Sequence, residues 1–278
     1  MPAPQSSVMK ELAKMQFRTF AIKLATDWRQ PQGEAGKQYT QAFKPSELAV
    51  IPPVGRLFIP ASVNKYHCDT VSEISTKFER YIDGICDAIC QAWSTWQTAA
   101  TLVGVMVNAV TASAGQVVGM PWMPIILGAA PMTTPQEIKY SQAIAMTISN
   151  AWLQYTATIK VPGLPWYPAF AAFPGPIAPP MPNIPTPVAA LTQVTAPVSK
   201  QLLKMQMIGN FGDPMALHHV QLFDCIADAF EKCFQVWQVS TQVTNVLGTG
   251  PIPTFAPPVV PVGPVVGGVG NMMPGGFV

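Results

Sequence analysis

Two pairs of aspartates carry the first spacing in this chain that could do chemistry. Asp83 and Asp87 lie four residues apart, and so do Asp224 and Asp228. On a helix that interval puts both carboxylates on one face. Two carboxyls buried side by side share a proton and can serve as an acid and a base. The competing reading is a helix edge with a shared structural role, and the repetition favours it. A second set, His67, Cys68, Cys86, Cys90, His218, His219, Cys225 and Cys233, contains the residue types that bind zinc. Structural zinc sites use tighter spacings such as C-x-x-C, and a free cysteine on an apolar helix face is usually a small buried hydrophobe. The chain has no G-x-S-x-G, no phosphate-binding G-x-x-x-x-G-K, no H-E-x-x-H and no G-x-G-x-x-G in a strand–helix setting. It is therefore read as a non-enzyme with no catalytic residue, metal, cofactor or small-molecule substrate.

The aspartates belong to a larger pattern. Asp83 to Gln97 aligns without a gap on Asp224 to Gln238, matching Ile85 with Ile226, Ala88 with Ala229 and Trp96 with Trp237. A looser middle copy places Tyr140, Ile144, Ile148, Trp152 and Tyr155 on Tyr81, Ile85, Ile89, Trp93 and Trp96. Each copy is a long apolar helix that ends in aromatics and runs into an uncharged Val/Pro/Gly tail. A helix this short cannot bury its stripe alone, so the three should pack on one another or on copies from other chains. The unequal offsets, 59 and 82 residues, suit a pseudo-threefold arrangement better than a solenoid.

Composition narrows the class. Charged residues make up 11% of the 278, against about 25% in an ordinary soluble domain. No charge falls between Asp87 and Glu137, between Lys160 and Lys200, or after Lys232. So few charges cannot keep a monomer apart from its neighbours. Tails rich in Trp122, Trp166, Phe170 and Phe255 have apolar surface to bury, unlike disordered segments. A net charge of +2 gives no reason to expect nucleic acid. Five cysteines without framework spacing, and a polar start, point to synthesis in the cytoplasm without a signal peptide. Ala99–Val118 is uncharged and long enough to span a bilayer, but its Thr, Asn, Ser and Gln residues make burial between subunits the preferred reading.

Taken in order, residues 8–29 read as an amphipathic helix on a terminal arm. Residues 30–44 read as a loop, 45–49 as one helical turn and 56–60 as a short extended piece. The first long helix is expected from the Thr70-x-x-Glu73 capping box to about Ala100. A short strand and loops follow. Thr134, Pro135 and Glu137 mark the start of the second long helix. The prolines of 161–185 imply extended backbone. Shorter helices are expected after Pro187 and from Val198 to Ile208. The third long helix is placed from Asp213-Pro214 to Leu247, and the chain from Pro251 is a tail.

The fold class expected is mainly α: three long helices in pseudo-repeats, with Pro/Gly-rich arms and few short strands. The divisions are 1–62 (N-terminal helix and charged arm), 63–131, 132–195 and 196–278 (one repeat each, with its tail). The candidate interface anchors are Trp93, Trp96, Trp152, Tyr155, Phe234 and Trp237 at the helix ends, and Trp122, Trp166 and Phe255 in the tails.

The polar start, the repeated Ile-x-x-Ala-Trp-x-x-Trp/Tyr endings at 89–96 and 148–155, and the uncharged Val-Pro-Gly terminus resemble accessory structural proteins of phage tails and phage-tail-like contractile injection systems. The resemblance implies a subunit of a large symmetric particle, at the baseplate, around the spike or at the tube end, and possible release outside the cell as part of that particle. It implies a homo-oligomer with other subunits as partners, and carries no functional residue over. The alternative is a membrane-active pore former or effector that inserts its uncharged segments.

Overall fold

The computed structural model describes residues 3–20, 60–191, 193–255 and 262–278, with the backbone alone given for 60–72. The readings for 21–59 lie outside the described residues. Contacts divide the chain into one unit of Met1–Phe17 with Tyr81–Val278 and another of Arg18–Arg80. Within the smaller unit, Arg18 makes a two-pronged bond to Glu79 at 2.7 and 2.9 Å, and Lys77 pairs with Glu73 one turn away.

Six α-helices are described: α1 (Ser6–Thr19), α2 (Pro60–Ala99), α3 (Trp122–Ala129), α4 (Pro135–Thr158), α5 (Lys200–Phe211) and α6 (His219–Ser240). The start of α4 follows from its sequence. Thr134 accepts from the Glu137 amide while the Glu137 carboxylate accepts from the Thr134 amide, with Pro135 at the first helical position. Helix α5 stops because Gly212 takes φ +67°.

The expectation of a mainly α fold with few strands is wrong. Among the described residues the sheet has six antiparallel strands in the order β3-β2-β1-β8-β7-β4. These are β1 (Thr101–Asn108), β2 (Thr111–Val118), β3 (Val161–Leu164), β4 (Ile177–Met181), β7 (Val246–Pro251) and β8 (Gly268–Met272). A separate pair, β5 (Thr186–Pro187) and β6 (Gln242–Val243), forms a two-stranded ladder. The error has a physical source. These strands are rich in Gly and Pro, which carry little strand propensity, and apart from the β1–β2 hairpin their partners are not the next stretch of chain. Other corrections share that source. Ala99–Val118 is mostly the hairpin β1–β2, turning at Ala109 with φ +50°. The loops expected after Gly119 contain α3. The C-terminal tail supplies β8, seated between β1 and β7. Helix α2 begins at Pro60, so Thr70 lies inside it, and α6 ends at Ser240 rather than Leu247.

Three junctions beyond the helix ends repeat one spacing. Val105, Leu164 and Val246 each lie nine residues beyond the last aromatic of their helix, Trp96, Tyr155 and Trp237. Val105 pairs with Gly270 and Leu164 with Ala112. Val246 exchanges bonds with Asn183, accepting from its amide at 3.1 Å and donating to its side-chain oxygen at 2.9 Å. The first strand of each copy pairs with the return strand of another copy, β1 with β8, β3 with β2 and β7 with β4. The two edge strands, β3 and β4, both belong to the middle copy. Pro162, Pro179 and Pro180 lie on them, and a residue without an N–H blunts an edge against further pairing.

Candidate functional site

The three aromatic endings meet inside the chain. Trp93 lies 5.0 Å from Trp152, 5.2 Å from Phe230 and 5.6 Å from Trp237, between ring centroids. Trp122, from α3, stacks on Trp152 at 4.3 Å. Tyr155 stands edge-on to Phe234 at 4.8 Å. All are buried in the interior. The expected anchors Trp93, Trp96, Trp122, Trp152, Tyr155, Phe234 and Trp237 therefore join the helices of one chain to each other. Trp166 is also buried and donates its indole N–H to the Thr186 hydroxyl at 2.9 Å. Phe255 is half-buried. The indole nitrogens of Trp93, Trp122 and Trp152 have no hydrogen-bond acceptor among the described residues. Close aromatic neighbours offer π faces, which recover part of that cost.

Gln97 closes the cluster. Its amide nitrogen donates to the Phe277 carbonyl at 3.0 Å, and its carbonyl accepts from the Trp237 indole at 3.0 Å. The two ends of this side chain thus hold α6 and the C-terminal segment to α2.

The aspartate pairs sit opposite lysine pairs. Lys14 reaches Asp83 at 2.8 Å, and Lys10 pairs with Asp87. In the other copy Lys204 reaches Asp224 at 2.8 Å, and Lys200 reaches both Asp224 (2.9 Å) and Asp228 (3.2 Å). Lys232 adds a bond to Asp228, and Gln16 donates to Asp224 at 3.3 Å. Burial alone would push the Asp224 carboxyl up, but hydrogen bonds from Lys204 and Lys200 outweigh it and hold the group below its ordinary value. An aspartate held ionised by two lysines is a poor proton carrier near neutrality. The arrangement is a latch between helices.

These lysines carry a sequence signal of their own. Lys10-Glu-Leu-Ala-Lys14-Met-Gln16 in α1 repeats as Lys200-Gln-Leu-Leu-Lys204-Met-Gln206 in α5. Lys14 and Lys204 keep the same position against Asp83 and Asp224. The helices α1 and α5 are thus a second duplicated element, each docked on the helix that bears its aspartates.

The thiols of Cys86, Cys90, Cys225 and Cys233 are free and buried. Burial pushes all four up, Cys90 to about 12 and Cys233 to about 11. They are protonated at neutral pH and therefore weak nucleophiles and weak ligands. Among the described residues no group of three or more His, Cys, Asp or Glu is placed to hold a metal ion. His219 donates its Nδ1–H to the Ala216 carbonyl, at 2.6 Å.

Concave features remain among the described residues, including an open hollow of about 490 Å³ on α5 beside Leu202, Met205 and Ile208. A cavity of about 330 Å³ opens beside Trp96, Gln116, Trp122, Ser149 and Thr156. An apolar groove of about 460 Å³ runs between α1 and α6, lined by Val8, Leu12, Cys233 and Val236. No helix among the described residues is long and apolar enough to cross a membrane.

Charge is segregated between the layers. Every charged residue described lies on a helix, apart from Lys160 and Asp213, and the strands carry none. The uncharged strands nevertheless expose large apolar side chains. Met106 and Val269 are direct cross-strand partners, 53% and 47% exposed, and Ile177 on β4 is 63% exposed. Comparison with protein-family models, with curated proteins and with solved structures gives no match to the chain.

Proposed function

We propose that this protein is a non-enzymatic structural subunit of a large symmetric assembly, of the kind found in phage-tail-like contractile injection particles, at the baseplate, around the spike or at the tube end. The observation that carries the reading is the charge-free six-stranded sheet with Met106, Val269 and Ile177 exposed on it. A surface of that composition associates unless something covers it. The interior adds support, because aromatic packing and lysine–aspartate latches use the residues that would otherwise do chemistry.

Light scattering over a concentration series, without detergent, tests the proposal. A discrete oligomer that survives dilution supports it, and Met106→Lys with Val269→Lys should reduce that oligomer to smaller species. A monomer at all concentrations overturns it. A protein held in solution only by lipid would move the membrane-active reading to first place.

A further inference from the structure

The last aromatic of each copy, Trp96, Tyr155 and Trp237, carries a polar hydrogen into the interior. Trp237 donates its indole N–H to the Gln97 side chain at 3.0 Å. Tyr155 donates its hydroxyl to the Gln193 side chain at 2.8 Å, with the Gln238 side chain bonded to the same group. In both places the partner is a glutamine carboxamide. Trp96 meets no acceptor among the described residues. Its indole nitrogen lies against Gly119, where an added Cβ would collide with it. Both residues line the cavity of about 330 Å³.

The repeat explains the difference. Gln97 and Gln238 hold one aligned position, directly after the last aromatic, and in the middle copy that position is Thr156. Gln97 of the first copy serves the aromatic of the third, and Gln238 of the third faces that of the second. The same rotation brings Thr156 of the second copy to Trp96 of the first, and both line the cavity. Threonine is too short to take the glutamine's place, and its hydroxyl turns back to the Trp152 carbonyl at 3.0 Å. The cavity thus lies where the other two junctions hold a carboxamide.

Its lining states what fits. No charged residue borders it, so an ionised group entering would be desolvated without a partner. Ser149 accepts from the Met123 amide at 3.2 Å, which leaves its hydroxyl proton to donate beside Trp96. Val118, Met120 and Leu153 stand exposed at the mouth. Donors inside an apolar mouth match a neutral acceptor carried on an aliphatic segment. The chain fills its second junction in that way, with Gln193 beside the buried Leu191.

We propose that the cavity beside Trp96 is a docking slot for an uncharged segment of a neighbouring subunit that bears a glutamine, whose side-chain carbonyl accepts from the Trp96 indole. Val118, Met120 and Leu153 receive the aliphatic residues on either side of it. The proposal rests on the subunit reading above and names a site through which the subunit is engaged.

Peptide binding to the full-length chain tests it. The probe is a capped peptide of residues 190–195, Ala-Leu-Thr-Gln-Val-Thr, followed by calorimetry. Saturable binding is expected, weakened about tenfold when the peptide's glutamine is replaced by leucine. Thr156→Gln supplies the missing carboxamide from within and should abolish binding while raising the thermal midpoint. Should that variant fail to fold, Leu153→Lys, at an exposed position on the rim, should abolish binding with the midpoint unchanged. No saturable binding to wild type would place water or Gln116 at the indole and overturn the slot. Equal affinity for the leucine peptide, or binding that survives both variants, would overturn it as well. Light scattering on the same samples keeps the two readings apart. An oligomer that ignores the peptide removes the slot and leaves the subunit role standing, whereas a monomer that ignores it removes both.

Discussion

The indole of Trp237 donates to the side-chain carbonyl of Gln97 at 3.0 Å, across 140 residues of sequence. Both atoms are buried, and the Gln97 amide is committed to Phe277. Gln97→Leu should therefore strand a donor and an acceptor in the core. The expected loss is about 1–3 kcal/mol for each unsatisfied group. Urea unfolding checks it, and a midpoint equal to wild type would show that the clamp holds nothing.

Trp96→Ala and Trp237→Ala should each lower stability by about 3–5 kcal/mol, as large-to-small changes do in packed cores. Thermal unfolding of dilute protein reads the loss. Because both rings are interior, the effect should be independent of protein concentration. A loss confined to high concentration would instead mark them as subunit contacts.

Two glycines should respond in opposite ways. A Cβ on Gly250 would stand 2.5 Å from the Gly268 backbone, and neither strand can yield. Gly250→Ala should cost about 1–3 kcal/mol or more. Gly128 on α3 has no atom within 4 Å of the added methyl. Gly128→Ala should be neutral or stabilising by up to about 1 kcal/mol. Chemical denaturation of the two variants side by side gives the comparison, and equal midpoints would contradict the close approach of β7 and β8.

Stability should fall at both ends of the pH range. Asp224 is depressed in the folded protein, so its contribution is present above its unfolded value and disappears as pH drops through the folded one. Lys200 runs the other way: burial lowers it, but bonds to Asp224 and Asp228 outweigh that and raise it. Its contribution is complete below the ordinary lysine value and lost as pH climbs through the raised one. Unfolding midpoints should drop below about pH 4. Asp224→Asn should lower the plateau and flatten that acid limb. An unchanged acid limb would mean that other carboxylates carry it.

The thiols offer a direct probe of burial. Cys86, Cys90, Cys225 and Cys233 should resist an aromatic disulfide reagent at pH 8 and react at once in guanidinium. Burial keeps all four protonated well past that pH. Rapid labelling of Cys90 alone in native protein would show α1 leaving its groove, since Cys90 lies under Met9.

Local signals were legible in the sequence. Thr134, Pro135 and Glu137 cap α4 because each acts on an amide within one turn. The aromatic endings could be aligned because a helix displays its stripe over a dozen residues. The lysine–methionine–glutamine duplicate of α1 and α5 was equally visible, although its partners across the latch were not. The sheet was decided by tertiary structure alone. Val105 meets Gly270 and Ala112 meets Leu164 through bonds between backbones, which no side-chain alternation announces in strands of Gly, Pro and Val. The same holds for the tryptophans. Their number shows that something large is buried. Whether they bury against another chain or against each other depends on where three helices end in space, and the strand pairings just beyond those ends bring them together.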